Sequence, residues 1–582
     1  MSPLLYLNKF FWRYRISIII GAIFILIANL FALYPAEFVR KAFDSIISSI
    51  NSETESSSKI STILLKYGGL IVSFAILKGV FMYFMRQTII VMSRKIEFDL
   101  KNEIYQQYQN LSMSFYKKNK TGDLMNRISE DVSRVRMYLG PALMYGINIS
   151  ILFYLVINKM FNINSTLTIY VLIPLPILAI TVYFVSDNIN KRSERVQSQL
   201  SKITNISQET FSGIKIIKSF RSEKNTYNLF LNSLKSYTNK QIQLVKIEAV
   251  FFPLIITMIG ASTILTVYIG GIESYKGNIT TGNIAEFIIY VNMLAWPVAS
   301  IGWITSIIQR ASASQKRINN FLLLQPEIQN TIEEITPVSG DVNFKDVSFT
   351  YENTDIKALD KISFRIKEGT TLGVFGKTGS GKTTIANLVC RLYDADQGKI
   401  TFGNKNIKEL NLYSLRSYIG YVPQDGYLFS GSIKDNISFT DNMIDNERII
   451  AAANKSEMGN EINNFIDGFE TIIGERGVQL SGGQRQRIAI ARTFYKKSGL
   501  LIFDDCLSAI DADKEQKILR NLRKESSGKT SIIISHRVAT LKDADHIIVL
   551  DSGKIIEQGT HKELLKQKGF YFNIEKSQNS SF

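Results

Sequence analysis

Six long apolar runs, all within the first 307 residues of a 582-residue chain, restrict the fold before any motif is read. A helix needs roughly 20 apolar residues to cross a bilayer. The runs are Ile16–Tyr34, Ile63–Met85, Pro141–Val156, Leu167–Val185, Ala249–Ile269 and Ile284–Ile307. Stretches of this length seldom occur together in one soluble domain, so they read as six membrane-spanning helices. The third is short and is interrupted by Asn148 and Ser150. The first is too long, and lacks the small-residue cleavage site, to be a signal peptide. Beyond them the sequence reads as a soluble α/β protein, which is why the mean hydropathy of the whole chain is only +0.04.

The net charge of +17 fits either nucleic acid or an anionic membrane face, and its placement decides between them. Lys9, Arg13 and Arg15 precede the first span. Arg94, Lys95, Lys101, Lys117, Lys118, Lys120, Arg127, Arg134 and Arg136 follow the second. A third basic stretch, from Lys191 to Lys246, follows the fourth. The opposite side carries Lys159 and Lys276, and a loop in which Arg40, Lys41, Lys59 and Lys66 are balanced by Glu37, Asp44, Glu53 and Glu55. Lys and Arg gather on the cytoplasmic side of membrane proteins. Both termini and both long loops are therefore expected in the cytoplasm, with the chain a multi-pass protein of the cell (inner) membrane. The excess charge is then accounted for, and no nucleic-acid partner is needed.

The two basic loops continue the helical pattern of the spans without proline, so the helices should project well into the cytoplasm. Each has one glycine-centred break, at Lys120-Thr121-Gly122-Asp123-Leu124 and at Phe211-Ser212-Gly213-Ile214-Lys215. Such a break makes either a surface turn or a short crosswise helix that docks on another domain. Lys78 and Arg86, in or near the end of the second span, mark a function or snorkel toward the cytoplasmic headgroups, and snorkelling is the reading we adopt. Pro174, Pro176, Pro253 and Pro297 are candidate kinks. Phe287, Tyr290, Met293 and Trp296 in the sixth span either line a cavity for an apolar substrate or serve ordinary packing. Only two cysteines, Cys390 and Cys506, and three histidines are present. A disulfide framework and a histidine-rich metal site are both unsupported.

After Arg317 the composition changes, and Gln325-Pro326 and Thr336-Pro337-Val338-Ser339-Gly340 mark a linker. We therefore divide the chain into a membrane domain, 1–320, with turns near 120–124 and 211–216, a linker, 321–340, and an α/β domain, 341–582. Gly376-Lys377-Thr378-Gly379-Ser380-Gly381-Lys382-Thr383 fits the P-loop pattern, after the apolar run Thr371–Phe375 and before the helical run Thr384–Leu392. Its glycines let backbone N–H groups close around phosphate oxygens, assisted by the helix N-terminus. Lys382 can reach the β- and γ-phosphates, and Thr383 can ligate magnesium. The buried run Leu500-Leu501-Ile502-Phe503 ends in Asp504, where a second magnesium-binding carboxylate belongs in such folds. ATP and Mg2+ are the cofactors this pair requires.

Between these two motifs lies Leu480-Ser481-Gly482-Gly483-Gln484. With it, the chain resembles the ATP-binding-cassette (ABC) exporters whose half-transporters join six spans to one nucleotide-binding domain. The order of motifs matches along nearly the whole chain. Tyr351 resembles the aromatic that stacks on adenine, and Thr384 completes the P-loop contacts. Gln424 resembles the glutamine that joins the magnesium site to the membrane-domain contact. Gly474-Glu475-Arg476-Gly477 resembles the segment just before the signature, and Ser508-Ala509-Ile510-Asp511 the loop that crosses the dimer interface. His536 resembles the switch histidine that contacts the γ-phosphate. The turns near Gly122 and Gly213 sit where the family places its coupling helices, and Arg310-Ala311-Ser312-Ala313-Ser314 resembles the cytoplasmic end of the sixth helix. The resemblance implies a head-to-tail pair of motor domains. One chain's P-loop and the partner's Ser481, Gly482, Gly483 and Gln484 would hold each ATP, and closure would drive alternating access.

One residue departs from the pattern. The family places Glu after the strand's Asp, as the base that orients the attacking water, and here Asp505 stands there, one methylene shorter. A base must come within roughly 2.6–3.2 Å of the proton it takes, or act through one water. This resembles the heterodimeric exporters in which one subunit has a weakened site but donates a sound signature. A slowly hydrolysing homodimer is the alternative pairing. The function expected is ATP-driven export of a hydrophobic or amphipathic substrate (drug, lipid or peptide), with membrane lipid and a second half-transporter as partners. The alternative is an ATP-gated regulatory or channel-like subunit with little hydrolysis of its own.

Overall fold

The structure is a computed structural model that describes residues 3–51, 57–352, 354, 356–439, 441, 443–474, 477, 479–507, 510–526 and 528–579. It divides into two compact units, one of residues 1–109 and 122–324, the other of 110–121 and 325–582.

Among the described residues six helices are long and apolar enough to cross a membrane: Arg15–Ser49, Ile60–Asn110, Thr121–Ile163, Ser165–Ser212, Glu223–Tyr275 and Thr281–Leu322. All six expected spans are there. At 1.5 Å per residue a helix of some 50 residues runs about 75 Å, more than twice the bilayer's hydrocarbon core. The third span is continuous through its polar residues because they are paired. The Asn29 amide donates to Asn148 Oδ1 at 2.9 Å, and Ser150 Oγ donates to the Gly146 carbonyl at 2.9 Å. Within that span the turns Arg127–Asp131 and Tyr138–Ala142 are π-type, and Pro141 sits in the second. Gly140 there lets the backbone approach the second span: a Cβ on it would lie 2.7 Å from Ser93 Oγ.

Pro174 opens the helix Pro174–Ser212 directly after the helix Ser165–Leu172, so this proline does interrupt its span. Pro253 and Pro297 lie inside the unbroken helices Glu223–Tyr275 and Thr281–Leu322. Phe287 and Tyr290 are fully buried, packed with Leu152, Val156, Leu167 and Leu178, so they belong to the bundle core and not to a cavity wall. Trp296 is exposed and in ring contact with Tyr145. The short helix Ile214–Ser219 follows Gly213, and its turn leaves Phe211, Ile216 and Phe220 on the surface.

The described residues of the second unit form twelve strands: β1 (Val342–Tyr351), β2 (Ile356–Ile366), β3 (Thr371–Gly376), β4 (Gln397–Phe402), β5 (Lys405–Asn406), β6 (Ile419–Val422), β7 (Gly431–Ser432), β8 (Ile472–Ile473), β9 (Leu500–Asp504), β10 (Thr530–Ser535), β11 (His546–Asp551) and β12 (Lys554–Gly559). The main sheet has the order β12-β11-β3-β10-β9-β6, and a second sheet the order β2-β1-β4-β5. β3, β6, β9, β10 and β11 pair in parallel. Their continuous apolar sequences follow from burial on both faces of the sheet. The fold class is the one expected: six apolar helices, then an α/β domain. This unit also includes the short helix Met113–Lys118, which lies ahead of Gly122, itself within the helical turn Thr121–Asn126.

Candidate functional site

Parallel strands end in register, and the loops at their carboxyl ends converge on one edge of the sheet. β3 runs into Gly376, and the loop from Lys377 to Gly381 leads into the helix Lys382–Val389. Gly379 (φ +83°) and Gly381 (φ +102°) hold left-handed conformations that disfavour side chains. At Gly381 space forbids one as well, since a Cβ would meet the Ala358 carbonyl at 2.3 Å. Lys382 Nζ donates to the carbonyls of Gly376 and Lys377, both at 2.7 Å. Burial pulls its pKa below the ordinary lysine value, against the pull of Asp505 and Asp504. Lys377 and Thr378 are exposed. Ser380 Oγ is buried with no hydrogen-bond partner among the described residues, a polar atom left for a ligand inside the loop.

Two strands away, β9 delivers Asp504, only 1% exposed, to the same edge. Thr383 Oγ1 donates to Asp504 Oδ1 at 3.1 Å, so two of the three expected magnesium ligands are adjacent. Tyr421 at the end of β6 donates its hydroxyl to Asp504 Oδ2 at 3.4 Å. Burial raises the pKa of Asp504 above the usual carboxylate range, and burial beside Asp504 raises that of Tyr421. The donor set of hydroxyl and carboxylate oxygens suits a hard divalent cation held partly by phosphate. Gln424 lies exposed two residues beyond β6, and its carbonyl accepts from Gln486 Nε2 at 3.4 Å.

Asp505 has φ +45°, an uncommon conformation for a residue with a side chain, and its N–H donates to the Ile534 carbonyl at 2.9 Å. His536, just past β10, sets Nδ1 3.0 and 3.1 Å from the two carboxylate oxygens of Asp505. Tyr351, the last residue of β1, contacts Tyr393 edge-on at 5.5 Å between ring centroids, and its hydroxyl lies 3.2 Å from Thr384 Oγ1. Lys117 of the short helix Met113–Lys118 places its ammonium 4.7 Å from the centre of the Tyr351 ring. Lys118 pairs with Glu352 beside it.

Ser481 caps the helix Gly482–Tyr495. Its Oγ accepts from Gln484 N at 3.2 Å, and the Gln484 side chain accepts from Ser481 N at 2.9 Å. Gln484 also donates to Glu461 Oε2 at 3.0 Å, and Arg487 spans both oxygens of Glu461 at 2.8 and 2.9 Å. Hydrogen bonding from Arg487 above all holds the Glu461 carboxyl far below the usual range, at about 2. Gly482 is exposed with open space around it, and Gly483 is partly exposed. Among the described residues, no hydrogen bond or ion pair joins this turn to the loop at Lys377–Thr384.

The chain thus brings Lys382, Thr383, Asp504, Asp505 and His536 to one edge and keeps Ser481–Gln484 apart from it. Tyr421 and Glu461 carry no signal in the linear pattern: each becomes visible only when parallel pairing or helix packing sets it beside a motif. Glu475, Arg476, Ser508 and Ala509 lie outside the described residues. Both cysteines are buried, and burial pushes the Cys390 thiol up to about 12, so neither behaves as a reactive group.

The sequence matches the ABC transporter transmembrane region over residues 18–298 and the ABC transporter family over 359–508. It is 32% identical over 98% of its length to a probable multidrug resistance ABC transporter ATP-binding/permease protein, YheI of Bacillus subtilis, covering 96% of that chain. The chain belongs to the ABC transporter family. It is a half-transporter of the exporter type, with a membrane domain fused ahead of one nucleotide-binding domain. The multidrug resistance-like ATP-binding protein MdlA of Escherichia coli is 33% identical to this half-transporter over 84% of it and 82% of MdlA. The ATP-dependent lipid A-core flippase of Syntrophus aciditrophicus is 30% identical, covering 96% of this chain and 92% of the flippase. The fold is also that of a bacterial Atm1-family ABC exporter solved with ATP bound, at a TM-score of 0.78 and 23% identity over 98% of both chains.

Proposed function

We propose that this half-transporter binds and hydrolyses ATP at the edge where Thr383 meets Asp504, and so exports a hydrophobic or amphipathic substrate as one half of a dimer. The observation that carries the reading is that contact, beneath a P-loop whose buried Ser380 hydroxyl has no hydrogen-bond partner among the described residues. Backbone N–H groups from Gly376 to Thr384 cradle the triphosphate, Lys382 turns from its loop carbonyls toward it, and Tyr351 stacks on the base. Thr383, Asp504 and Gln424 hold Mg2+, which neutralises phosphate charge when bound. His536 positions the γ-phosphate, and Asp505 takes the place of the base.

Ser481, Gly482, Gly483 and Gln484 serve the ATP of a second subunit, which fits their separation from the P-loop of their own chain. The short helices Met113–Lys118 and Ile214–Ser219 act as coupling helices. The first belongs with the nucleotide-binding unit, and the second presents Phe211 and Phe220, 75% and 79% exposed, as an apolar tip for the partner subunit to cover. The basic loops put the motor and both termini in the cytoplasm. A heterodimer is the pairing favoured, because Asp505 is short and already engaged with His536.

The test is ATP-dependent substrate accumulation in inside-out vesicles. Lys382→Ala, which removes the lysine at the helix start that can reach the β- and γ-phosphates, is expected to abolish it while membrane insertion survives. Undiminished accumulation by the variant would overturn the reading.

A further inference from the structure

A cleft of about 450 Å³ opens on the membrane bundle where the second and third spans diverge. Tyr83, Arg86, Gln87, Ile90 and Val91 form one wall, and Pro141, Met144 and Tyr145 the other. Next to the lining residue Pro141, Gly140 packs closely on Ser93, and both Gly140 and Pro141 lie in the π-type turn Tyr138–Ala142. Such turns recur at functional sites. The lining holds one cation, one amide and no carboxylate, and no ion pair or hydrogen bond engages Arg86 among the described residues.

Snorkelling accounts for an arginine near the end of an apolar run, but not for a cleft beside it whose wall, Gln87 apart, is aromatic and apolar. We propose that this cleft binds an anionic phospholipid, its phosphate on Arg86 and Gln87 and its acyl chain along Tyr83, Ile90, Val91 and Met144. Charge complementarity selects the occupant: a guanidinium matches a phosphate with two parallel hydrogen bonds, whereas a cationic amphipath would meet like charge. The cleft then acts as an intake or regulatory site for acidic amphipaths, and its transport role rests on the export reading above.

The chain offers its own probe. Of its three tryptophans, Trp296 and Trp303 contact the Tyr145 ring at 5.7 and 5.6 Å, and Trp12 can be removed as Trp12→Phe. The full chain, with its partner subunit where one is needed, is reconstituted without nucleotide in bilayers containing brominated phosphatidylglycerol or brominated phosphatidylcholine. Stronger quenching by phosphatidylglycerol is expected, with an apparent preference of about fivefold, the scale one arginine supplies near an anionic headgroup. Arg86→Gln should remove the preference and Arg86→Lys should keep most of it. Equal quenching by the two lipids, as when a second copy covers the cleft, overturns the proposal, and so does a preference that survives Arg86→Gln. ATP-driven movement of a cationic dye without any phosphatidylglycerol preference would sink this inference and leave export standing. The preference without ATP-driven movement of any probe would keep the site and sink export.

Discussion

His536 Nδ1 lies 3.0 Å from one carboxylate oxygen of Asp505 and 3.1 Å from the other, so the group standing in for the base is held by the neighbouring strand's histidine. A carboxylate so held is committed before any water approaches, and it is one methylene shorter than the family's Glu. Asp505→Ala should therefore lower the ATPase rate of the assembled transporter less than tenfold, a change of under about 1.4 kcal/mol in the barrier. Asp505→Glu should raise the rate of this site. Ser481→Arg, which fills the turn offered to the partner's nucleotide, should cripple the pair. ATPase rates of the chain alone and with its partner decide the matter. Full activity of the chain alone, lost in Asp505→Ala, would make Asp505 a working base and the homodimer the better account.

The Lys117 ammonium, 4.7 Å from the centre of the Tyr351 ring, occupies a neighbourhood that a stacked base also needs. An exposed cation–π contact is worth about 0.5–1 kcal/mol. If base and ammonium compete for the ring, Lys117→Ala should tighten ATP binding about two- to fivefold. Titration with a fluorescent ATP analogue would show this, and weaker binding by the variant would mean that Lys117 assists the base.

Glu461 is a stability prediction with a definite sign. Its carboxyl, held down to about 2 above all by the hydrogen bond from Arg487, lies below the ordinary glutamate value of 4.5. The stabilisation is therefore fully present above about pH 4.5 and is lost as pH falls from there toward 2. Screening by solvent at this partly exposed site leaves it on the order of 1 kcal/mol at neutral pH. Glu461→Gln should lower the melting temperature at pH 7, and the gap to wild type should narrow below pH 4.5. A gap that stays constant with pH would show that the carboxylate charge does no work.

The legible parts of the chain are those whose physics is local. Apolar length reveals a span, and Gly376–Thr383 reveals a phosphate loop because the backbone turn itself requires those glycines. Asp504 is legible as the end of a buried strand. The third span is under-read from the sequence because Asn148 breaks its apolar run, whereas Asn29, 119 residues away, satisfies it. Phe287 and Tyr290 read equally as cavity lining or as packing in a linear pattern, and the bundle's contacts decide for packing. Tyr421 and Glu461 depend on neighbours remote in sequence, so no window along the chain contains them. Arg86 is visible as a charge, but the far wall of the cleft beside it, Pro141, Met144 and Tyr145, is remote in sequence.

The topology can be tested on cysteines the fold itself makes quiet. Cys390 and Cys506 are both buried, so a membrane-impermeant maleimide should find little native background. Tyr275 ends the fifth span and is 95% exposed, while Ile466 sits on the nucleotide-binding unit fully exposed. Because Lys and Arg favour cytoplasmic loops, the stretches from Arg94 to Arg136 and from Lys191 to Lys246 predict the motor inside the cell and the turn after Tyr275 outside. In intact cells Tyr275→Cys should label and Ile466→Cys should not. In inside-out vesicles the two should exchange behaviour. Labelling of Ile466→Cys from outside intact cells would reverse the orientation, and with it the direction of transport.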